Sequence, residues 1–272
     1  MKLRVLAALV VVALAYFALR GGEGVRVATF NIRMYPESER QEAGAFEAIR
    51  QLGAAAVAVQ EITEPQRFAK AARERLGESW RFVWPAASPA QRVGVLYDDA
   101  KWTLLSTTTH RDTLVYDGAK PAFEVRLRDR EGGDELVLVV VHLKAGGDGL
   151  EIRRRQLDGL RTVVERLTDT ADHVVVLGDF NSTGPQDREA IDALAEATDV
   201  EWASEDLDCT SYWTPETACV GAALDHVLAS DSTDDVTARG PCESEGCAPG
   251  DRCPTFFSEV SDHCPLTVDL GD

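Results

Sequence analysis

The chain has 272 residues, 44% of them hydrophobic, and a formal net charge of −18. A chain of this length can bury one sizeable core and is barely long enough for two, so we expect one domain. The negative charge argues against a protein that grips duplex nucleic acid through clustered Lys and Arg, although a divalent cation in a carboxylate-lined cleft would still let an acidic enzyme accept an anionic substrate.

Residues 1–22 have the pattern of an N-terminal signal peptide or membrane anchor. Lys2 and Arg4 precede an apolar run at residues 5–19, and a basic start before such a run is typical of export signals. Residues 13–15 form a small-residue cleavage site, but the apolar run continues past it, so an uncleaved anchor stays open. At about 1.5 Å per residue the run is shorter than a roughly 30 Å hydrocarbon core. Residues 24–270 are expected to form one exported domain, either secreted or anchored to the outer face of the membrane.

Apolar, β-branched runs alternate with amphipathic segments, which predicts an α/β domain. Core strands are expected at residues 25–32, 55–59, 93–97, 136–141, 174–177, 224–229 and 266–270. Helices that cover the sheet faces are expected at residues 38–52, 65–76, 151–167 and 186–197. Residues 92–127 pass from strand to strand without a helix, which predicts antiparallel pairs and therefore mixed sheets.

All six cysteines fall in the last quarter of the chain: Cys209, Cys219, Cys242, Cys247, Cys253 and Cys264. An even number in a chain with an export signal predicts disulfides. A structural zinc site is the alternative, but the spacings lack a paired C-x2-C arrangement. The pairing cannot be deduced from sequence, and proximity alone favours Cys209 with Cys219. Residues 231–259 are expected to form an irregular excursion tied by these bonds.

Several predicted strands are directly followed or preceded by a polar residue. Such a residue is not needed to form a buried strand. Strand ends of opposite direction share one edge of a mixed sheet, so these residues are expected to meet at that edge. Taken singly, each also has a structural explanation as a turn former, a helix start or an N-cap. The set comprises Asn31, Glu61, His142, Asp179, Asn181, Asp225, Asp262 and His263.

These residue types suit the hydrolysis of a phosphate ester. Glu61, with Asn31 and Asp179 nearby, offers the oxygen ligands that Mg²⁺ prefers. His263 fits the base that activates water, provided that Asp225 holds its other ring nitrogen.

Two further groups fit the substrate side of the reaction. Asp179 and Asn181 stand two positions apart on a tight turn and can align the water and a phosphate oxygen. His142, when protonated, would donate to the phosphate or to the leaving oxygen.

In this order the residues resemble the endonuclease/exonuclease/phosphatase superfamily over about residues 25–270. The resemblance rests on Thr29-Phe30-Asn31-Ile32, Gln60-Glu61, His142-Leu143-Lys144, Gly178-Asp179-Phe180-Asn181, Leu224-Asp225-His226-Val227 and Ser261-Asp262-His263-Cys264-Pro265. It implies a four-layer αββα sandwich with two packed mixed β-sheets, like that of deoxyribonuclease I, and a Mg²⁺ or Mn²⁺ site.

The resemblance also implies a role for each residue. Glu61 would bind the metal with Asn31 close by, Asp179 would position the water, Asn181 would contact phosphate, His142 and His263 would be the acid/base pair, Asp225 would orient His263, and Asp262 would add a metal or hydrogen-bond contact.

Two departures stand out. Residues 92–95 offer no carboxylate to pair with His142, and the basic residue that some members place before the sixth strand is Lys120, a candidate for substrate binding.

Three functions remain open. The leading one is an exported nuclease that binds nucleic acid transiently as its substrate. A phosphatase or a sphingomyelinase-type phosphodiesterase of the same superfamily is the first alternative, and a non-catalytic binding module is the second. Arg153, Arg154 and Arg155 lie on a predicted helix near acidic residues and are expected to form a solvated face rather than a DNA contact. No protein partner is predicted.

Overall fold

A computed structural model describes residues 25–86, 92–215, 218–231, 233 and 236–271. The predicted signal peptide or anchor at residues 1–22 lies outside these residues. Within them, no helix has both the length and the apolar character needed to cross a membrane.

Within the described residues the strands and helices alternate along most of the chain. The strands are β1 Val25–Tyr35, β2 Ala56–Ile62, β3 Trp80–Val83, β4 Arg92–Asp98, β5 Trp102–His110, β6 Ala122–Asp129, β7 Glu135–His142, β8 His173–Asp179, β9 Ser211–Trp213, β10 Val220–Ala222, β11 Asp225–Ala229, β12 Thr237–Ala238 and β13 Leu266–Leu270. The helices are α1 Glu39–Leu52, α2 Pro65–Leu76, α3 Leu150–Thr168, α4 Pro185–Thr198, α5 Pro241–Ser244 and α6 Thr255–Glu259.

In the described part of the chain, the strands form two large sheets. One has the order β12-β13-β1-β2-β4-β3 and the other the order β11-β8-β7-β6-β5, while β9 and β10 form a separate hairpin. The β1–β2 and β7–β8 pairs are parallel and the other pairs are antiparallel, so both sheets are mixed, as predicted. Between residues 92 and 127 the expected antiparallel pairing holds for β5 with β6, whereas β4 lies in the other sheet.

Among the described residues, three apolar cores separate four layers. The inner faces of the two sheets pack through alternating side chains such as Val95 and Leu138. Helices α1 and α2 cover the six-stranded sheet through residues such as Phe46, and α3 and α4 cover the five-stranded sheet through residues such as Leu160. This is the predicted αββα sandwich. The first helix begins where Ser38 accepts a hydrogen bond from the Gln41 amide.

The disulfides join Cys209 to Cys247, Cys219 to Cys253 and Cys242 to Cys264. The favoured pairing of Cys209 with Cys219 is therefore wrong, and the register of the β9–β10 hairpin explains why. Ser211 pairs with Ala222 and Trp213 with Val220, which places Cys209 and Cys219 at opposite ends of the hairpin. Each of them bonds instead to the irregular segment that follows β12.

Arg153 is not on a solvated face, so the prediction is wrong for this residue. It lies in α3 with only 1% of its surface exposed. Its guanidinium donates to both carboxylate oxygens of Asp187, to Thr183 Oγ1, and to the carbonyl oxygens of Lys144 and Gly146. These five hydrogen bonds use all five N–H groups of the side chain. Arg153 thereby ties the loop after β7 to the loop after β8.

Candidate active site

The polar residues at the strand ends meet at one edge of the sandwich. Asn31 lies in β1 and Glu61 in β2 of the six-stranded sheet, while His142 and Asp179 end β7 and β8 of the five-stranded sheet. In the parallel β7–β8 pair, His142 stands directly opposite Asp179. Asp225 begins the antiparallel neighbour β11 and also pairs with Asp179. The edge therefore combines strand ends from both sheets.

Unusual backbone conformations set the directions of several of these side chains. Glu61 and Asn181 have φ of 63° and 52°, in the left-handed region, which costs energy for a residue other than glycine. Gly178 has φ of 139°, and a Cβ at this position would clash with the carbonyl oxygen of Val141. The turn that presents Asp179 and Asn181 therefore requires glycine before it.

Two carboxylates share a small space with an amide and an imidazole. Asn31 Nδ2 donates to Asp179 Oδ2 at 3.0 Å and lies 3.5 Å from Glu61 Oε1. His142 Nε2 lies 3.4 Å from Asp179 Oδ2 and 3.8 Å from Glu61 Oε1. Glu61 Oε2 accepts a hydrogen bond from the backbone N–H of Met34 at 2.9 Å. The arrangement brings oxygen atoms from both sheets to one point.

His263 and Asp225 form a buried pair beside this point. The Nδ1 atom of His263 lies 2.7 Å from Asp225 Oδ2, and its Nε2 atom lies 3.9 Å from Asp179 Oδ2. Ser261 Oγ accepts from the His263 amide and donates to the carbonyl oxygen of Asn31. The imidazole is thus held on one side by Asp225 and turned towards Asp179 on the other.

Thr210 supports Asp225 and was not found from the sequence. Its side chain is fully buried, and its Oγ1 atom donates to Asp225 Oδ2 at 2.9 Å. The same oxygen accepts the backbone N–H groups of Leu224 and Asp225, so its single proton is directed at the carboxylate. Thr210 follows a cysteine in an irregular stretch, and nothing in the local pattern marks it.

The charges in the cluster shift the pKa values of its buried groups. Burial alone would lower the pKa of His263, but the charges of Asp225 and Asp179 outweigh it and hold that pKa well above its ordinary value. Burial, with a contribution from Asp225 and against the charge of His263, raises the pKa of Asp179 to about 7.

The pKa of His142 shifts in the opposite direction. Burial lowers it well below the ordinary value, and the charges of Lys120 and His263 lower it further. His142 is therefore neutral here, whereas the sequence led us to expect a protonated imidazole. A neutral imidazole keeps one N–H for donation.

The other predicted residues lie around the cluster. Burial lowers the pKa of Lys120, and the charges of Glu61 and Asp179 act against this shift. Asn181 donates its backbone N–H to Asp179 Oδ1 and its side-chain amide to the Leu143 carbonyl oxygen.

Asp262 lies at the margin of the site. Its side chain is half-buried and close to Ser261, and its charge adds to the raised pKa of His263. Among the described residues, the acidic and imidazole groups close enough to share one ion are Asp179, Asp225 and His263, so Asp262 is not part of that group.

The residues present fit a divalent cation. Ligand atoms of Asp179, Asp225 and His263 lie within 4.8 Å of one another, and Glu61 adds a third carboxylate beside Asn31 and His142. Asp225 Oδ1 is buried and has no hydrogen-bond partner among the residues that the structure describes. Carboxylate and amide oxygens are the ligands that hard cations such as Mg²⁺ prefer.

Comparisons with known proteins agree with this geometry. A family model described as Endonuclease/Exonuclease/phosphatase family matches residues 28–263, and no curated protein sequence gives a match. The human Nocturnin catalytic domain with bound sulfate anion is 20% identical, with a TM-score of 0.68, covering 92% of this chain and 94% of its own.

Two further solved structures share the fold. TDP2 of D. rerio, complexed with a single-strand DNA product, is 12% identical with a TM-score of 0.69, over 91% of this chain and 99% of its own. A mannosyl-6-phosphatase of Bacteroides thetaiotaomicron is 16% identical with a TM-score of 0.64, over 91% of this chain and 100% of its own. At these identities the structural likeness establishes the fold.

Proposed function

The chain belongs to the endonuclease/exonuclease/phosphatase family of phosphoric ester hydrolases, and we propose that it is an exported, Mg²⁺- or Mn²⁺-dependent phosphodiesterase that cleaves nucleic acid. The buried His263–Asp225 pair that faces Asp179 carries this proposal. A base with an orienting carboxylate is the arrangement that activates water.

Each residue has a distinct role in the proposed reaction. A divalent cation held by Glu61, with Asn31 nearby, would offset charge on the phosphoryl oxygens and on the carboxylates, which would lower the pKa of His263 towards that of a base. Asp225 holds the Nδ1–H of His263, so Nε2 faces Asp179 and takes the proton of the attacking water. Asp179 orients that water.

The remaining polar groups act on the phosphate. His142 donates a hydrogen bond from its single N–H, and Asn181 contacts a phosphate oxygen. Lys120 offers a point charge, which suits one phosphate oxygen rather than a forked contact. Asp262 contributes an outer metal or hydrogen-bond contact.

Nucleic acid is the substrate that we favour, in a short-lived complex. The net charge of −18 disfavours a stable grip on duplex DNA, but a metal at the site still allows brief attack on a phosphodiester. The similar TDP2 binds a single-strand DNA product. A small phosphate monoester is the alternative, as the likeness to a mannosyl-6-phosphatase suggests.

Export through residues 1–22, followed by a domain at residues 24–270, completes the proposal. The three disulfides support it, because such bonds form and persist in oxidising environments. Cell fractionation of the full-length protein tests this part, and recovery in the cytoplasm would contradict it.

The first experiment is an activity panel on the full-length protein, purified with its disulfides intact. Single-stranded and duplex DNA, RNA, bis-nitrophenyl phosphate, sphingomyelin and a sugar phosphate are incubated with Mg²⁺, Mn²⁺ or a chelator. We expect metal-dependent cleavage of nucleic acid that falls about 10²- to 10⁴-fold in His263→Ala and persists in His173→Ala.

His173 is the matched control because it lies at the opposite end of β8 and pairs with Asp231. If the protein hydrolyses only the sugar phosphate or only the lipid, that ester replaces nucleic acid as the proposed substrate. No turnover of any ester would refute the proposal.

A further inference from the structure

The disulfide-bonded region and the catalytic pair are in direct contact. The three disulfides pack together with Tyr212 and Phe257 into one small cluster, which we call the disulfide cluster. Cys264 in this cluster directly follows His263, and Cys209 directly precedes Thr210, the residue that holds Asp225. Two of the three disulfides are therefore adjacent in sequence to a residue of the His263–Asp225 site.

Backbone hydrogen bonds connect these two places. The Cys264 amide donates to the Thr210 carbonyl oxygen at 2.7 Å, and the Tyr212 amide donates to the Asp262 carbonyl oxygen at 2.7 Å. Between them, Ser211 pairs with His263 in an isolated antiparallel bridge. The chain that carries His263 is thus held against the chain that carries Thr210, and any displacement of one is passed to the other.

Little regular structure holds the segment that the disulfides tie down. In the described residues from 236 to 264 the elements are the two-residue β12, the four-residue α5 and the five-residue α6. Such short elements are marginal by themselves. Cys242 lies in α5 and bonds to Cys264, which is only 1% exposed. This bond is the disulfide nearest to His263 in sequence.

We propose that the Cys242–Cys264 disulfide is a positioning element for catalysis, which fixes His263 against Asp225 and Asp179 and so makes turnover depend on the redox state of this bond. Two electrons and two protons from a dithiol reductant convert the disulfide into two thiols, while the reductant becomes a disulfide. The sandwich keeps its three cores, but His263 loses its alignment. The catalytic part of this inference rests on the role of His263 in the proposed function.

The third disulfide provides a matched control. Cys219–Cys253 closes a loop of comparable length, with a sequence separation of 34 against 22, and neither cysteine is adjacent to a residue of the site. Removing either bond relaxes the unfolded chain to a similar extent. A difference in activity between the two variants therefore reports on positioning rather than on stability.

The test compares Cys242→Ala/Cys264→Ala with Cys219→Ala/Cys253→Ala in the full-length protein, well below both unfolding temperatures. With bis-nitrophenyl phosphate and Mg²⁺ we expect the first variant to lose about 10- to 100-fold in kcat with KM nearly unchanged, and an altered pH profile. The control should keep its kcat within about two-fold. Equal losses in the two variants, or none in either, would overturn the proposal.

Amide hydrogen exchange gives a readout that needs no activity. The backbone amides at positions 212 and 264 should exchange faster in the first variant, and faster in the wild type treated with a dithiol, while the control variant keeps them protected. Unchanged protection would refute the positioning role even if the enzyme proves active. If the wild type hydrolyses no ester but this exchange pattern is found, the proposed function fails while the structural coupling stands.

Discussion

Acidification from pH 7 to about pH 4.5 is expected to destabilise the fold through one buried side chain, His226. Its Nδ1 atom lies 3.3 Å from Trp202 Nε1, and an indole N–H can only donate. Its Nε2 atom lies 2.7 Å from Ser182 Oγ, which itself donates to the Ala223 carbonyl oxygen. The imidazole is therefore neutral, with its proton on Nε2, and a second proton would break the contact with Trp202.

The size of the effect follows from the pKa. Burial and, to a smaller extent, the charge of Arg188 lower the pKa of His226 from 6.5 to about 3. Between these values the unfolded chain binds a proton that the folded chain does not, so stability falls as the pH falls from about 6.5 to about 3. At about 1.36 kcal/mol per pH unit, the loss is about 2.5 kcal/mol between pH 7 and pH 4.5.

Urea unfolding at a series of pH values, with the disulfides intact, measures this contribution. Other acidic groups also titrate in this range, so the His226→Gln variant is needed to isolate the imidazole. We expect the variant to be less stable at pH 7 but to lose less stability than the wild type on acidification. If acidification lowers the free energy of unfolding equally in the two proteins, the pKa of His226 is not lowered by its buried surroundings.

Three further predictions concern the supports of the site. Thr210→Val should lower kcat about 10-fold and shift the pH profile, because Asp225 loses a hydrogen bond, while Thr210→Ser keeps both near wild type; equal activity of the two would contradict the role of the hydroxyl. Arg153→Lys should lower the free energy of unfolding by about 3 kcal/mol, whereas Arg154→Lys at the partly exposed neighbour should lower it by less than about 0.5 kcal/mol. A smaller difference between the two variants in urea unfolding would refute the role of Arg153 in tying the two loops together. Gly178→Ala should unfold at a markedly lower temperature than Gly184→Ala, whose Cβ meets open space, and a similar melting temperature would count against the clash.

The sequence was most informative where local pattern and burial agree. The helix expected at residues 65–76 has those bounds in the structure, because Pro65 starts it and an apolar stripe faces the sheet. The bounds of strand β5 were not predicted, since its second half is exposed and rich in threonine. An edge strand with such a surface lacks the alternation that marks a half-buried strand.

Site residues with a motif could be anticipated, but those defined by tertiary contact could not. Asn31, Glu61, Asp179 and His263 follow recognisable strand-end patterns, and the structure brings them to one edge; their catalytic roles stay predictions. Thr210 acts on a residue 15 positions away across a hairpin, and no local spacing encodes that contact. The burial of Arg153 likewise depends on where Asp187 lies in the folded chain.

The site residues come from both sheets. The distances between them therefore depend on how the two sheets are placed relative to one another. The Asn31–Asp179 contact of 3.0 Å joins β1 to β8, and the Asp225–His263 contact of 2.7 Å joins β11 to the segment just before β13. A slide of one sheet over the other by half an ångström would disturb both contacts together. The side chains between the sheets, such as Val95 and Leu138, therefore set the alignment of groups that they never touch.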